Sequence, residues 1–251
     1  MFALLPELGP WLWVLLAVAA VFVGVSKTAV PGSNTIAIAI FAAILPARAS
    51  TAALLLLLIL GDVFALAIYR RHADWSTLLK LIPAVATGLI LGAVFLAFSS
   101  DAWVRRGIGV ILLLLMAVTV WQRYRPPADH VSARRSRIER AGYGSISGFT
   151  TMVANAGGAA MSMYLLAARF PVKAFLGTAA WFFAVINLTK VPISIGLGLI
   201  TPETLVLDLV LAPGVVVGAL IGWWIARRIK QSVFEWAVII ATVAGAIYLV
   251  I

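Results

Sequence analysis

The chain has no cysteine, and its only two histidines, His72 and His130, stand in polar stretches. The first absence excludes disulfides, thiolate metal sites and cysteine nucleophiles. The second leaves a membrane-buried serine without the base that nucleophilic hydrolysis needs. Charge is scarce too, at 11% of residues, and only nine residues are acidic. An aspartyl hydrolase would need two facing carboxyls. The candidates are Asp62 and Asp208, and Asp208 is expected at an interface because it lies near the start of its apolar run. No polar stretch exceeds the one near residue 130, so no soluble domain fits between the apolar runs. These absences describe one polytopic membrane unit that is not an enzyme and carries no cofactor and no metal.

Apolar residues fill the space that charge leaves. They make up 63% of the chain, against roughly half in a soluble domain, and runs long enough to cross about 30 Å of hydrocarbon recur from end to end. The net charge of +10 comes mostly from short loops that hold Arg70, Arg71, Arg105, Arg106, Arg134, Arg135, Arg137, Arg227, Arg228 and Lys230. Basic loops in a membrane protein set topology and attract anionic lipid, so the charge points to a bilayer and not to nucleic acid. The first residues lack the basic region of a cleaved signal, and the first apolar run is expected to stay in the protein.

Between polar or turn-rich breaks the runs form a series: residues 11–45 (interrupted at 26–34), 50–69, 78–98 and 103–121, then 143–168 (interrupted at 155–158), 174–199, 205–226 and 234–251. The expected fold is an all-α polytopic membrane protein of about eight transmembrane helical elements in two homologous four-element repeats, the first element of each being broken. The organisation is a first transmembrane repeat over 1–122, a cytoplasmic basic linker over 123–142 and a second repeat over 143–251. A shift of 125 residues lays Pro46-Ala47-Arg48 on Pro171-Val172-Lys173, Gly32-Ser33 on Gly157-Gly158 and Asp62 on Asn187. A shift of 126 lays Gly88 and Gly92 on Gly214 and Gly218, with Gly222 continuing the spacing that permits close helix approach. Placing the linker and basic loops inside and Thr201-Pro202-Glu203 outside makes the repeats inverted and residues 143–168 a re-entrant hairpin; Arg105 and Arg106 fit that orientation badly, and a full span there would make the repeats parallel. Trp11, Trp75, Trp103, Trp121 and Trp236 mark span ends as an aromatic belt, whereas Trp181 lies deeper.

Chemistry concentrates at the two interruptions. A broken membrane helix leaves N–H and C=O groups that protein or water must satisfy. Its half-helix amino termini offer free amides and partial positive charge to an anion. Matching breaks in two halves are the best sequence pointer to a transporter's site. The candidate contacts there are Thr28, Gly32, Ser33, Asn34, Thr151, Asn155, Gly157 and Gly158, the glycines allowing close backbone approach. Tight turns facing nothing are the plainer reading.

Three charges lie deep. A central lysine costs about 2.5–3.5 kcal/mol to insert, so each is a functional hypothesis by default. Lys27 stands beside the first break, close enough to a span end to snorkel instead. Lys190 lies well inside its apolar run, three residues after Asn187, and reads either as an anion contact or as a counter-ion for Asp62. Asp62 reads either as the carrier of a coupling proton or as a fixed charge-balancing group.

The motifs Ser26-Lys27-Thr28-Ala29-Val30-Pro31-Gly32, Tyr69-Arg70-Arg71-His72-Ala73-Asp74-Trp75 after Asp62, Gly148-Phe149-Thr150-Thr151, Asn155-Ala156-Gly157-Gly158, Phe175-Leu176-Gly177-Thr178 and Asn187-Leu188-Thr189-Lys190-Val191-Pro192 resemble the TauE/SafE sulfite exporter (anion permease) family. The likeness runs from about residue 11 to the carboxyl end. It implies a repeat-built permease that moves sulfite, sulfoacetate or another small organosulfur anion across the inner membrane. Ala29 stands where that family often has glycine, and Ser33-Asn34 where it has a second glycine, which leaves the substrate open.

The reading is therefore a multi-pass inner-membrane secondary transporter, an exporter of a small anion, working by alternating access. Lys27 and Lys190 supply charge; Thr28, Ser33, Asn34, Thr151, Asn155 and Asn187 donate hydrogen bonds. A passive anion channel is the alternative, and an intramembrane hydrolase a remoter one. Proton or sodium coupling and a homodimeric assembly stay open.

Overall fold

Prolines and an aspartate set where the helices begin. Pro10 occupies the first position of α1 (Pro10–Thr28), where its missing N–H costs nothing. Pro46 separates α2 (Asn34–Ile44) from α3 (Ala47–Tyr69). After a 3-10 turn at Arg70–His72, Asp74 caps α4 (Trp75–Phe98), its carboxylate accepting from the Thr77 amide at 3.0 Å. The remaining helices are α5 (Asp101–Arg123), α6 (Ala133–Ala154), α7 (Gly157–Ala167), α8 (Val172–Gly196) and α9 (Pro202–Ile225). This computed structural model describes residues 5–29, 33–123, 133–167, 170 and 172–225, and every regular element among them is helical.

Five of the described helices are long and apolar enough to cross a membrane: Pro10–Thr28, Ala47–His72, Trp75–Phe98, Ala174–Gly196 and Pro202–Trp224. The shorter α2 and α7, at 11 residues each, rise only about 16 Å at 1.5 Å per residue. The first interruption lies between Thr28 and Asn34, and the second between Ala154 and Gly157. Helix α6 starts at Ala133, inside the stretch read as linker. Its opening residues, rich in Ala, Arg and Glu, are good helix formers, and a polar helix can run out of the apolar layer unbroken.

Side-chain exposure matches a lipid-facing surface. Large apolar residues such as Val63, Leu79, Ile90, Phe98, Leu188 and Leu209 stand exposed on the outside, as bilayer contact requires and solvent would not favour. Trp11, Trp75, Trp103 and Trp121 are exposed as an aromatic belt would be; Trp236 lies outside the described residues. Trp181 donates from its ring to Arg70 O at 3.1 Å and stacks at 5.0 Å on Trp75.

Two close helix crossings frame the interior. Helix α4 lies on α6, where Gly88 faces the Ser145 carbonyl and the Phe149 amide and Gly148 faces Val85 and Leu89. Helix α9 lies on α1, where Gly218 faces the Val21 backbone and Gly24 faces Val215, Gly218 and Ala219. A Cβ at Gly218 would meet main chain, which cannot swing aside. Gly218→Leu is therefore expected to destabilise the fold by at least about 1–3 kcal/mol, seen as a lower thermal midpoint and loss of monodisperse protein. Gly142→Ala, in α6 where a Cβ meets nothing, is expected to hold or raise the midpoint, alanine favouring a helix interior by about 0.5–1 kcal/mol.

Candidate functional site

Both helix breaks open on the same cavity, about 40 Å³ in volume. Its polar wall comes from the end of α1 (Ser26, Lys27), the start of α2 (Asn34, Thr35), the end of α6 (Thr151, Asn155) and the start of α7 (Gly158). Asp62 of α3 and Asn187 of α8 complete it. Two half-helix amino termini, of α2 and α7, thus border one space with a lysine, an arrangement that favours negative charge.

The carboxylate of Asp62 organises the charged side. One oxygen accepts from Lys27 Nζ at 2.6 Å and the other from Asn187 Nδ2 at 2.7 Å. The Lys27 side chain is 8% exposed, and its ammonium lies 4.7 Å from the centre of the Phe183 ring, within range of a cation–π attraction. Lys27 therefore does not snorkel, because a buried carboxylate holds it. Asp62 and Asn187, which the 125-residue shift superposes, are in direct hydrogen-bond contact.

Lys190 is placed differently from either sequence expectation. Fully buried, it lines no part of the cavity and does not pair with Asp62. Its ammonium donates to Thr151 O at 2.6 Å and to Asn155 Oδ1. A cation on the last carbonyls of α6 offsets that helix's negative end. Asn155 closes the helix in the left-handed region, with φ of 53°, a conformation that asparagine tolerates better than most residues. Its Nδ2 donates to Thr51 O at 2.8 Å, its main-chain oxygen accepts from Asn34 Nδ2 at 3.2 Å, and Thr51 Oγ1 lies 3.1 Å from both Val153 O and Ala47 O. Every link around Lys190 thus holds the second break in shape.

The first break is tied by neutral groups. Tyr69 Oη donates to Thr28 O at 3.0 Å, and Thr28 Oγ1 lies within hydrogen-bond distance of Gly24 O and Ala219 O.

Of the residues singled out from sequence, the structure brings Lys27, Asn34, Asp62, Thr151, Asn155, Gly158 and Asn187 to the cavity. Thr28, Ser33, Gly157 and Lys190 lie behind its wall, and Gly32 is outside the described residues. Sequence reasoning missed Phe183, Thr35 and Ser26 as lining groups. Phe183 had a signal: with Leu176, Ala179, Ala180 and Asn187 it recurs at three- and four-residue spacing on α8, one face of a helix. Asp208, expected at an interface, is buried in α9, both carboxylate oxygens lacking a partner among the described residues, and it does not share the cavity with Asp62.

A sequence model of the family described as Sulfite exporter TauE/SafE matches residues 16–249. The chain belongs to that family. This TauE/SafE protein is accordingly a membrane protein of a transporter family whose described cargo is sulfite. No curated protein and no solved structure matches the chain.

Proposed function

We propose that this protein exports a small sulfur-containing anion such as sulfite, sulfoacetate or a related organosulfonate across the inner membrane by alternating access. The observation that carries this reading is the convergence of two half-helix amino termini and the Lys27 ammonium on one cavity. An incoming oxyanion competes with the Asp62 carboxylate for Lys27, and the positive ends of the α2 and α7 dipoles add to its attraction. Asp62 is then the charge-balancing group, occupying the lysine when no substrate does. Lys190 acts as a positioning residue, since it fixes the break at Thr151–Asn155 from behind.

The moving parts follow from treating residues 1–122 and 143–251 as two inverted repeats joined by the basic linker. Two facts support this. The crossing of α4 with α6 has its counterpart in that of α9 with α1, each carried by a glycine series, and the repeat-mates Asp62 and Asn187 touch. Rocking of one repeat against the other about this contact would open the cavity to alternate sides.

The test is flux from proteoliposomes. Sulfite efflux is expected to saturate with concentration and to depend on an imposed proton or sodium gradient. Flux that never saturates and ignores every gradient would identify a channel and sink the carrier mechanism.

A further inference from the structure

We infer that the cavity selects a small monoanion that brings its own hydrogen-bond donor, of the hydrogensulfite or sulfamate type, over dianions and over donor-free monoanions; this rests on the transport reading of the same site. Two amides carry the argument. Asn34 Nδ2 donates to Asn155 O, and Asn187 Nδ2 donates to an Asp62 oxygen. A main-chain carbonyl and a carboxylate can only accept, so these partners fix which way each amide faces. The opposite atoms, Asn34 Oδ1 and Asn187 Oδ1, are then pure acceptors, and both are buried without a partner among the described residues. Their residues are 8% and 1% exposed and both line the cavity. Buried acceptors without donors are rare because they forfeit the full cost of desolvation.

The hydroxyl of Ser26, also on the cavity wall, does not meet that need, because its hydrogen goes to Val23 O at 2.8 Å. A ligand with an O–H or N–H group can supply what the amide oxygens lack. Charge points the same way. The Lys27 ammonium on the cavity wall is already shared with Asp62, so it suits one added negative charge better than two. Size agrees as well: at 40 Å³ the cavity holds about three water-sized groups, enough for a compact oxyanion.

Sulfamate and methanesulfonate make a matched pair, since both are tetrahedral monoanions and differ by NH2 against CH3. Thermal-shift titration of the purified full-length protein with sulfite, sulfamate, methanesulfonate and sulfate tests the idea without any variant. Sulfamate is expected to bind at least about tenfold more tightly than methanesulfonate, the loss that one unmet buried acceptor predicts, and sulfate more weakly than sulfamate. Asn34→Leu is expected to narrow the sulfamate preference. Sulfite binding with sulfamate and methanesulfonate equal would overturn the donor requirement and leave the transport reading standing. No stabilisation by any of the four anions would overturn both.

Discussion

Replacing Lys27 with Met is expected to abolish anion binding, but the single variant also strips Asp62 of its partner. Removing one member of a buried ion pair commonly costs 3–5 kcal/mol through the charge left behind, so a loss seen in Lys27→Met alone would mix folding with function. The double variant Lys27→Met/Asp62→Asn separates them. The side-chain oxygen of the introduced asparagine can still accept from Asn187 Nδ2, in place of the 2.7 Å bond seen now, and neither member of the Lys27–Asp62 pair is left charged without the other. The double variant's thermal midpoint should recover toward the wild type while sulfite affinity stays at least about 30-fold down, the lower end of the roughly 2–5 kcal/mol lost when a buried charged partner is truncated. Calorimetric titration of both variants against the wild type reads the two effects apart. Recovery of binding together with stability would remove Lys27 from the site.

Lys190→Met is expected to fail in the opposite way. The lysine is wholly buried and its two acceptors, Thr151 O and Asn155 Oδ1, belong to the second break. Methionine fills much of the slot but donates nothing; Thr151 O keeps its bond from the Asn155 amide, whereas Asn155 Oδ1 is left a buried acceptor without a donor, at a cost of roughly 1–3 kcal/mol. The main effect should be a lower thermal midpoint and poorer yield of folded protein. Sulfite affinity in the surviving fraction should fall less than in the Lys27/Asp62 double variant, because Lys190 stands behind the wall. A fully stable Lys190→Met protein with no sulfite binding would make Lys190 a direct contact and contradict its positioning role.

The contrast between the two lysines marks how far the sequence could be read. Both breaks were legible because Pro31-Gly32 and Gly157-Gly158 sit inside apolar runs where a continuous helix is otherwise expected. Asp62 and Asn187 were legible as partners in position, since the same shift that pairs the glycines pairs them, and they are bonded in the fold. Which lysine takes Asp62 was not legible. Lys190 follows Asn187 by three residues, so helical spacing alone lets it share a face with the residue that does hold Asp62. Tertiary packing decides otherwise: the end of α6 presents Thr151 O, and the Asn155 side chain beyond it presents Oδ1, to Lys190, while the end of α1 delivers Lys27 to α3, where Gly61 leaves room against the lysine stem. The five long apolar helices are likewise fewer than the eight apolar elements read from the sequence: α1, α3, α4, α8 and α9 match five of them, α5 and the α6–α7 pair are not among the five, and the final run, 234–251, is outside the described residues.

On the proposed mechanism an anion binds at Lys27 between the two helix breaks and is carried from there. Counterflow of isotopically labelled sulfite in proteoliposomes tests it most directly, comparing the wild type with Lys27→Met/Asp62→Asn at matched protein incorporation. The wild type should show saturable counterflow driven by unlabelled sulfite on the far side, and the double variant none above empty liposomes. Counterflow of equal rate and saturation in both would contradict the claim.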